Sequence, residues 1–292
     1  MKTFVIFADA SSDINPSFLR KEDIRVLPML CLSKGEPRTL TGFESDEELA
    51  SFYREMRAGK VFSTSQITPR EYEEAFTPVM KEGSDVLYLA LSGGLTGTVE
   101  SARMAAEKLN AKLAPARVFV VDTLSATGGV NLLLEKAAEI RREGADAAEA
   151  AEKLSELAKR VCHVFLVSDL MHLSRGGRLS GASAVVGTML HVLPILVIDA
   201  EGKLQVVDKK RGMKSAIREI RQRFEASWDG REQRMYTTHG DSPGDADLLD
   251  SEIREADPEA DIEQRVISPV IGTHTGPGLL SIVYFGDRAK IM

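Results

Sequence analysis

Two α/β domains, the first built on a parallel sheet covered by helices on both faces, follow from three features of the sequence. Short aliphatic runs alternate with helix-compatible segments through the first 160 residues, the pattern of strands joined by helical crossovers. The runs lack a polar alternation, as strands buried on both faces do. The chain of 292 residues, 43% of them hydrophobic, exceeds the usual size of one domain and can bury a large core. An alanine-rich surface helix over 145–160 marks the boundary, giving domains 1–160 and 161–292.

Thr3 to Phe7 reads as the first strand. It ends in ADASSDINP, where Asp9, Ser11, Ser12 and Asp13 either cap a short helix starting near Pro16 or, as paired acids after a strand, hold a metal or phosphate. Ile24 to Leu32 is a second apolar run in which Pro28 marks an edge or bulge. Ser45 to Met56 is helical, with Ser45 and Glu48 in capping-box spacing. The polar cluster Ser63, Thr64, Ser65, Gln66 and Thr68 then leads into a helix with Pro69 in its first turn; it is a solvated loop or a cluster of donors for a ligand.

Val86 to Leu109 is the most informative stretch. An aliphatic strand to Leu91 stops at Ser92, Gly93 and Gly94, and after Thr96, Gly97 and Thr98 the segment from Val99 is helix-compatible. A glycine-rich turn before a helix presents N–H groups without intrahelical partners at the positive end of the helix dipole, which suits an anion. There is no P-loop Lys and no G-x-G-x-x-G, so the expected anion is a carboxylate rather than a nucleotide triphosphate. The alternative is that Thr96 or Thr98 caps the helix and the glycines only turn the chain.

Arg117 to Val121 is the next buried strand, followed by DTLSATGG and helices to Ile140 and over 147–160. In the second half, VCHVFLVSDL reads as a strand, MHLSRGGRLSG as a basic glycine loop and ASAVVGTML as a small-residue helix. LPILVID and KLQVVDKKR then pair across a turn at Ala200, Glu201 and Gly202. From Lys209 to Arg223 there are seven basic residues against one acid, Glu219, which is either a solvated face or a docking patch. MYTTHGDSPGDADLLDSEI, a loop VIGTHTGPG and the strand LLSIVYF close the chain.

Several function classes are excluded or disfavoured. A net charge of -7 argues against a general nucleic-acid binder. Two distant cysteines, Cys31 and Cys162, suggest neither a disulfide scaffold nor a zinc site. The N-terminus has no signal-like apolar region, so a cytoplasmic location is expected. The apolar stretch Ala182 to Ile198, broken by Ser183, Thr188, His191 and Pro194, falls short of the roughly 20 residues of a membrane span and suits a pocket wall. None of the five histidines has metal-ligand spacing, and no G-x-S-x-G elbow is present. His274, in Gly272 to Gly278, lies in a loop open enough to expose it to a ligand or to hold it as a structural group.

ADASSDI, FSTSQITPREYEEAF, LSGGLTGTVESA, VVDTLSATGG, DLMHLSRGGRLS, KLQVVDKKRGMKSAI, THGDSPGDADLL and IGTHTGPGLLSIVYFG, in this order over nearly the whole chain, resemble the DegV family of bacterial fatty acid-binding proteins. The resemblance implies one long-chain fatty acid buried between two α/β domains, no cofactor and no catalytic residues. It also implies presentation of the acid to a separate fatty acid kinase, as by the acyl-carrying subunit of that enzyme, and transient contact with a membrane surface. The sequence departs from the family pattern at Ala10 and Gly93, where serines are usual, and at Ile67-Thr68, where Pro-Ser is usual; the Gly93 departure removes one head-group hydroxyl.

On this reading Thr64, Ser65, Ser92, Gly93, Gly94, Thr96, His274 and Thr275 hold the carboxylate through hydroxyl and backbone donors, with no buried cation needed. Val185, Val186, Met189, Leu190 and Ile195 line the tail, and Arg178, Lys209, Lys210, Arg211 and Lys214 dock the partner. The competing expectation is a small-molecule hydrolase or phosphotransferase using the Asp9, Ser92 and His274 loops.

Overall fold

The computed structural model describes residues 4–179 and 192–292. Strands β1 (Phe4–Asp9), β2 (Ile24–Leu27), β6 (Asp85–Ala90) and β7 (Val118–Asp122) form a sheet in the order β2-β1-β6-β7. All its pairings are parallel. Helices α3 (Pro69–Lys81) and α4 (Thr98–Lys112) cover one face, where Phe7, Tyr72, Phe76 and Tyr88 share a core. Helices α5 (Gly128–Arg142) and α6 (Ala147–Ala158) cover the other. The parallel, doubly covered sheet matches the continuous apolar runs that encode it.

Pro28 separates β2 from β3 (Met29–Ser33), which leaves for a small antiparallel sheet between β4 (Glu36–Leu40) and β5 (Ser63–Ser65). Proline has no N–H for a ladder, and here it sits where one apolar run is divided between two sheets. The short α1 (Pro16–Lys21) is capped by Asn15. Helix α2 (Asp46–Arg57) carries the reciprocal Ser45–Glu48 capping box.

A second, six-stranded sheet has the order β10-β9-β8-β13-β11-β12 and is antiparallel except for its last pair. It comprises β8 (Val161–Leu166), β9 (Leu193–Ile198), β10 (Leu204–Lys210), β11 (Arg234–His239), β12 (Asp261–Val266) and β13 (Leu280–Phe285). Its outer face packs on α8 (Met213–Ser227) and α9 (Pro243–Ala256). Part of its inner face packs on α5, whose core includes Ile6 from the first sheet and Tyr236 and Val283 from the second. The layers therefore run helix, sheet, helix, sheet, helix, and the chain passes between the sheets in the short turn from Ala158 to Val161.

Two segments expected as loops are helical. Met171–Gly176 forms α7, closed by Gly177 in the left-handed conformation at φ 71°, which glycine adopts at little cost. Pro269–Thr275 forms α10, with Pro269 in its first turn. The expected small-residue helix around ASAVVGTML lies outside the described residues.

Candidate functional site

Where the inner face of the second sheet extends past α5, it meets the end of the first sheet across a cavity with about 790 Å³ of empty space, a figure that includes space open to solvent. Leu91, Phe165, Leu173, Ile198, Leu204 and Leu279 belong both to its wall and to a contiguous apolar cluster. No acidic side chain lines it among the described residues. The polar lining falls in two groups: Thr64, Gln66, Thr96, Arg178, His274 and Thr275 in one, and Thr127, His163, Thr238 and Ser281 in the other.

The first group is assembled by α10, which packs against α7, β3 and β5. His274 Nε2 lies 2.7 Å from Thr64 Oγ1 of β5. Gly176 of α7 abuts the other ring nitrogen of His274 so closely that a Cβ there would collide with it. The helix therefore needs glycine at this contact. Two residues on, past the helix end, Arg178 Nε donates to Leu95 O at 3.2 Å, and its guanidinium also donates to Gly176 O. Burial, with Arg178 alongside, lowers the His274 pKa to about 4, so its imidazole is neutral at physiological pH and offers one donor and one acceptor. Thr275 Oγ1 donates to Ile271 O at 3.1 Å, and Thr96 Oγ1 lies 2.8 Å from Thr98 Oγ1.

The glycine-rich turn after β6 is used differently from the sequence expectation. Ser92 Oγ donates to Gly202 O at 2.8 Å and accepts from Gly94 N at 3.1 Å. Gly93 N donates to the Asp122 carboxylate at 3.2 Å. Ser92, Gly93 and Gly94 thus spend these donors on the β9–β10 turn, on β7 and within the loop itself, and none of them lines the cavity. Helix α4 has Gly97 at its N-cap and no side-chain cap. Ser65 pairs with Leu30 in the small sheet and lies outside the cavity lining.

Ile195 also requires correction. Alternation along β9 turns Leu196 and Ile198 inward, so Ile195 packs outward with Ala216, Ile217 and Ile220 of α8. Val185, Val186, Met189 and Leu190 lie outside the described residues. Arg178, expected on a docking surface, points into the cavity. Lys209, Arg211 and Lys214 are exposed, whereas Lys210 is paired with Asp208 and Glu219 at 2.9 and 2.8 Å.

Asp9, Ser92 and His274 are not brought together. Asp9 accepts from Tyr88 Oη at 2.6 Å and from Ser11 within the core. Ser92 has a carbonyl rather than a base as its partner, so the arrangement lacks the nucleophile–base contact that covalent catalysis uses. No group of residues suited to a metal ion occurs among the described residues, nor does any helix long and apolar enough to cross a membrane.

The family model described as "Uncharacterised protein, DegV family" matches residues 3–287. The chain belongs to the DegV family. A DegV domain-containing protein of Clostridium perfringens is 35% identical over 99% of this chain and 100% of its own length. A DegV lipid-binding protein from Thermotoga maritima has a similar structure, with a TM-score of 0.85 at 30% identity over 98% of this chain and 99% of that one. A Thermus thermophilus DegV family protein, described by its fatty acid binding, gives the same TM-score at 29% identity, over 98% and 100% of the two chains.

Sequence reasoning about this DegV chain singled out Gln66 only within the 63–68 polar cluster and did not single out Thr127, His163, Thr238 or Ser281, while Arg178, expected on a docking surface, lines the cavity. The available signal was a polar residue inside an otherwise apolar strand run, as in VCHVFL. Beyond Thr64 and His274 lies a second depression to which Lys60, Phe62, His172 and Arg175 contribute, and which shares Thr64, Arg178 and His274 with the cavity.

Proposed function

We propose that this DegV protein is a non-catalytic carrier of a long-chain fatty acid, its carboxylate held at Arg178, Thr64 and His274 and its tail in the cavity between the two sheets. The observation that carries this reading is an acid-free apolar cavity with a half-buried guanidinium beside a hydroxyl–imidazole pair at one end. A buried carboxylate is costly unless paired and hydrogen-bonded. Arg178 supplies the charge, and the Thr64–His274 pair, which spends one of its two protons on its internal hydrogen bond, supplies one further donor. Each methylene buried adds about 0.8 kcal/mol, so a long chain binds far better than octanoate. The lipid and fatty acid binding described for the Thermotoga and Thermus relatives supports the same reading.

The carboxylate end adjoins the depression around Lys60, His172 and Arg175, which suits the approach of a phosphate-donating partner. The carrier therefore presents its acid to a separate fatty acid kinase, with exposed Lys209, Arg211 and Lys214 as a docking patch. Native mass spectrometry of the purified protein tests the carrier: a stoichiometric long-chain fatty acid is expected, and protein that stays lipid-free when incubated with palmitate refutes it. For the partner, Arg211→Glu should weaken acyl phosphate formation with the kinase subunit while palmitate binding persists. Parallel loss of both would assign Arg211 to the fold instead.

A further inference from the structure

The second polar group in the cavity has no role in holding a carboxylate. His163 is 2% exposed and Thr238 0%, and among the described residues His163 Nε2 and Thr238 Oγ1 have no hydrogen-bonding partner. Both residues line the cavity. Unpartnered buried polar atoms are few in folded proteins and cost stability, so a polar pair kept in an apolar chamber calls for a ligand group or a water.

Strand register places these residues away from the carboxylate end. Leu279 immediately precedes β13 and follows α10, which carries His274. Ser281 pairs with Phe165 on one side and Thr238 on the other, and Val283 pairs with His163. His163 is therefore level with a residue four positions along the chain from Leu279, roughly 13 Å at strand spacing, with Phe165 between. Gly128 and Gly129 of α5 close over this end. A Cβ at Gly128 would press on Thr238 and Tyr236, and one at Gly129 on His163.

We infer that the cavity is built for a fatty acid bearing a neutral oxygen substituent, a hydroxyl or keto group, partway along its chain, recognised by His163 with Thr238 and Ser281. This rests on the carrier reading above. Neutral imidazole and threonine each donate and accept, which complements a hydroxyl. A charged substituent does not fit: His163 is held neutral by burial, with Arg288 adding to the effect. Arg288 itself is occupied by the carbonyls of Val161, Asp199, Leu124 and Ala158.

The test is competitive binding of stearic acid and of stearic acids hydroxylated at successive mid-chain carbons to the wild-type protein, His163→Leu and Thr238→Val. At least one hydroxylated acid should bind the wild type about fivefold or more tightly than stearic acid, the value of one net hydrogen bond. His163→Leu should abolish that preference and Thr238→Val reduce it; the near-isosteric Thr238→Val decides the matter if His163→Leu does not fold. Stearic acid binding as tightly as every hydroxylated acid overturns this inference alone, and a water is then the partner of His163. Binding of none of the acids overturns the carrier reading with it.

Discussion

Two glycine-rich segments, 92–98 and 272–278, invite the same reading as ligand loops, and the structure treats them in opposite ways. In the first, the Ser92 hydroxyl donates to Gly202 O, the Gly93 amide to Asp122 and the Gly94 amide to Ser92 Oγ. In the second, the chain is helical through Thr275, and His274 faces Thr64 at the cavity wall. Donors count for binding only if the fold leaves them unspent, and that depends on partners far away in sequence. Four substitutions sharpen this contrast.

The largest effect is expected where the second segment is anchored. Ser268, the N-cap of α10, donates its N–H to buried Asp13 Oδ1 at 2.7 Å, and Arg265 Nε donates to Asp13 O at 2.8 Å. Tyr53 Oη donates to Ile267 O at 2.9 Å, and Asp13 N donates to Asn131 Oδ1 at 3.1 Å. Burial raises the Asp13 pKa from 3.8 to about 7, against the lowering effects of Ser268 and Arg265. Between those two values the folded state holds a proton that the unfolded chain has lost, so this group's contribution to stability falls as pH rises through that window. Asp13→Asn should match the wild type near the acid end of the window and exceed it above pH 7, by on the order of 4 kcal/mol. Urea unfolding across pH checks this; a difference independent of pH would remove Asp13 as the titrating anchor.

Next in size is the carboxylate end. Arg178→Gln keeps a donor to Leu95 O but removes the cation, and palmitate affinity should fall by about 3 kcal/mol, roughly a hundredfold, as when one partner of a buried pair is lost. Thr64→Val removes only a hydroxyl, and a loss of about 1.5 kcal/mol is expected. Isothermal titration compares the two. Equal, small losses would shift the carboxylate away from the guanidinium.

What was legible in the sequence was local. The Ser45–Glu48 capping box, the β9–β10 turn and the parallel strands of the first sheet are each encoded within a few residues of where they act. The misread segments depend on distant contacts. Gly272 looked like a loop residue, yet it sits within α10, at a contact where a Cβ would press on Tyr53 and Phe52 of α2. Gly176 is fixed by His274 in the same way. Arg178 looked like one more surface cation, and only the closure of α7 by Gly177 turns it into the cavity. Lys210, Arg221 and Arg223 looked like a free basic face, but each is matched by acids, most of them beyond the basic run.

The smallest effect on binding, and the most diagnostic, belongs to Ser92. From sequence it is a prime donor to a carboxylate, so Ser92→Ala would lower affinity. In the fold its hydroxyl joins the loop after β6 to a carbonyl 110 residues away in the β9–β10 turn, fully buried. Its removal strands both Gly202 O and Gly94 N–H, and a buried unsatisfied group costs about 1–3 kcal/mol. Ser92→Ala should therefore lower the unfolding midpoint while palmitate affinity stays within about twofold of wild type, less than a single net hydrogen bond. Differential scanning calorimetry alongside titration separates the two readings. Weakened binding with an unchanged midpoint would mean that the loop donates to the ligand after all. The contrast between the two glycine segments would then vanish, because both would be binding loops that differ only in secondary structure.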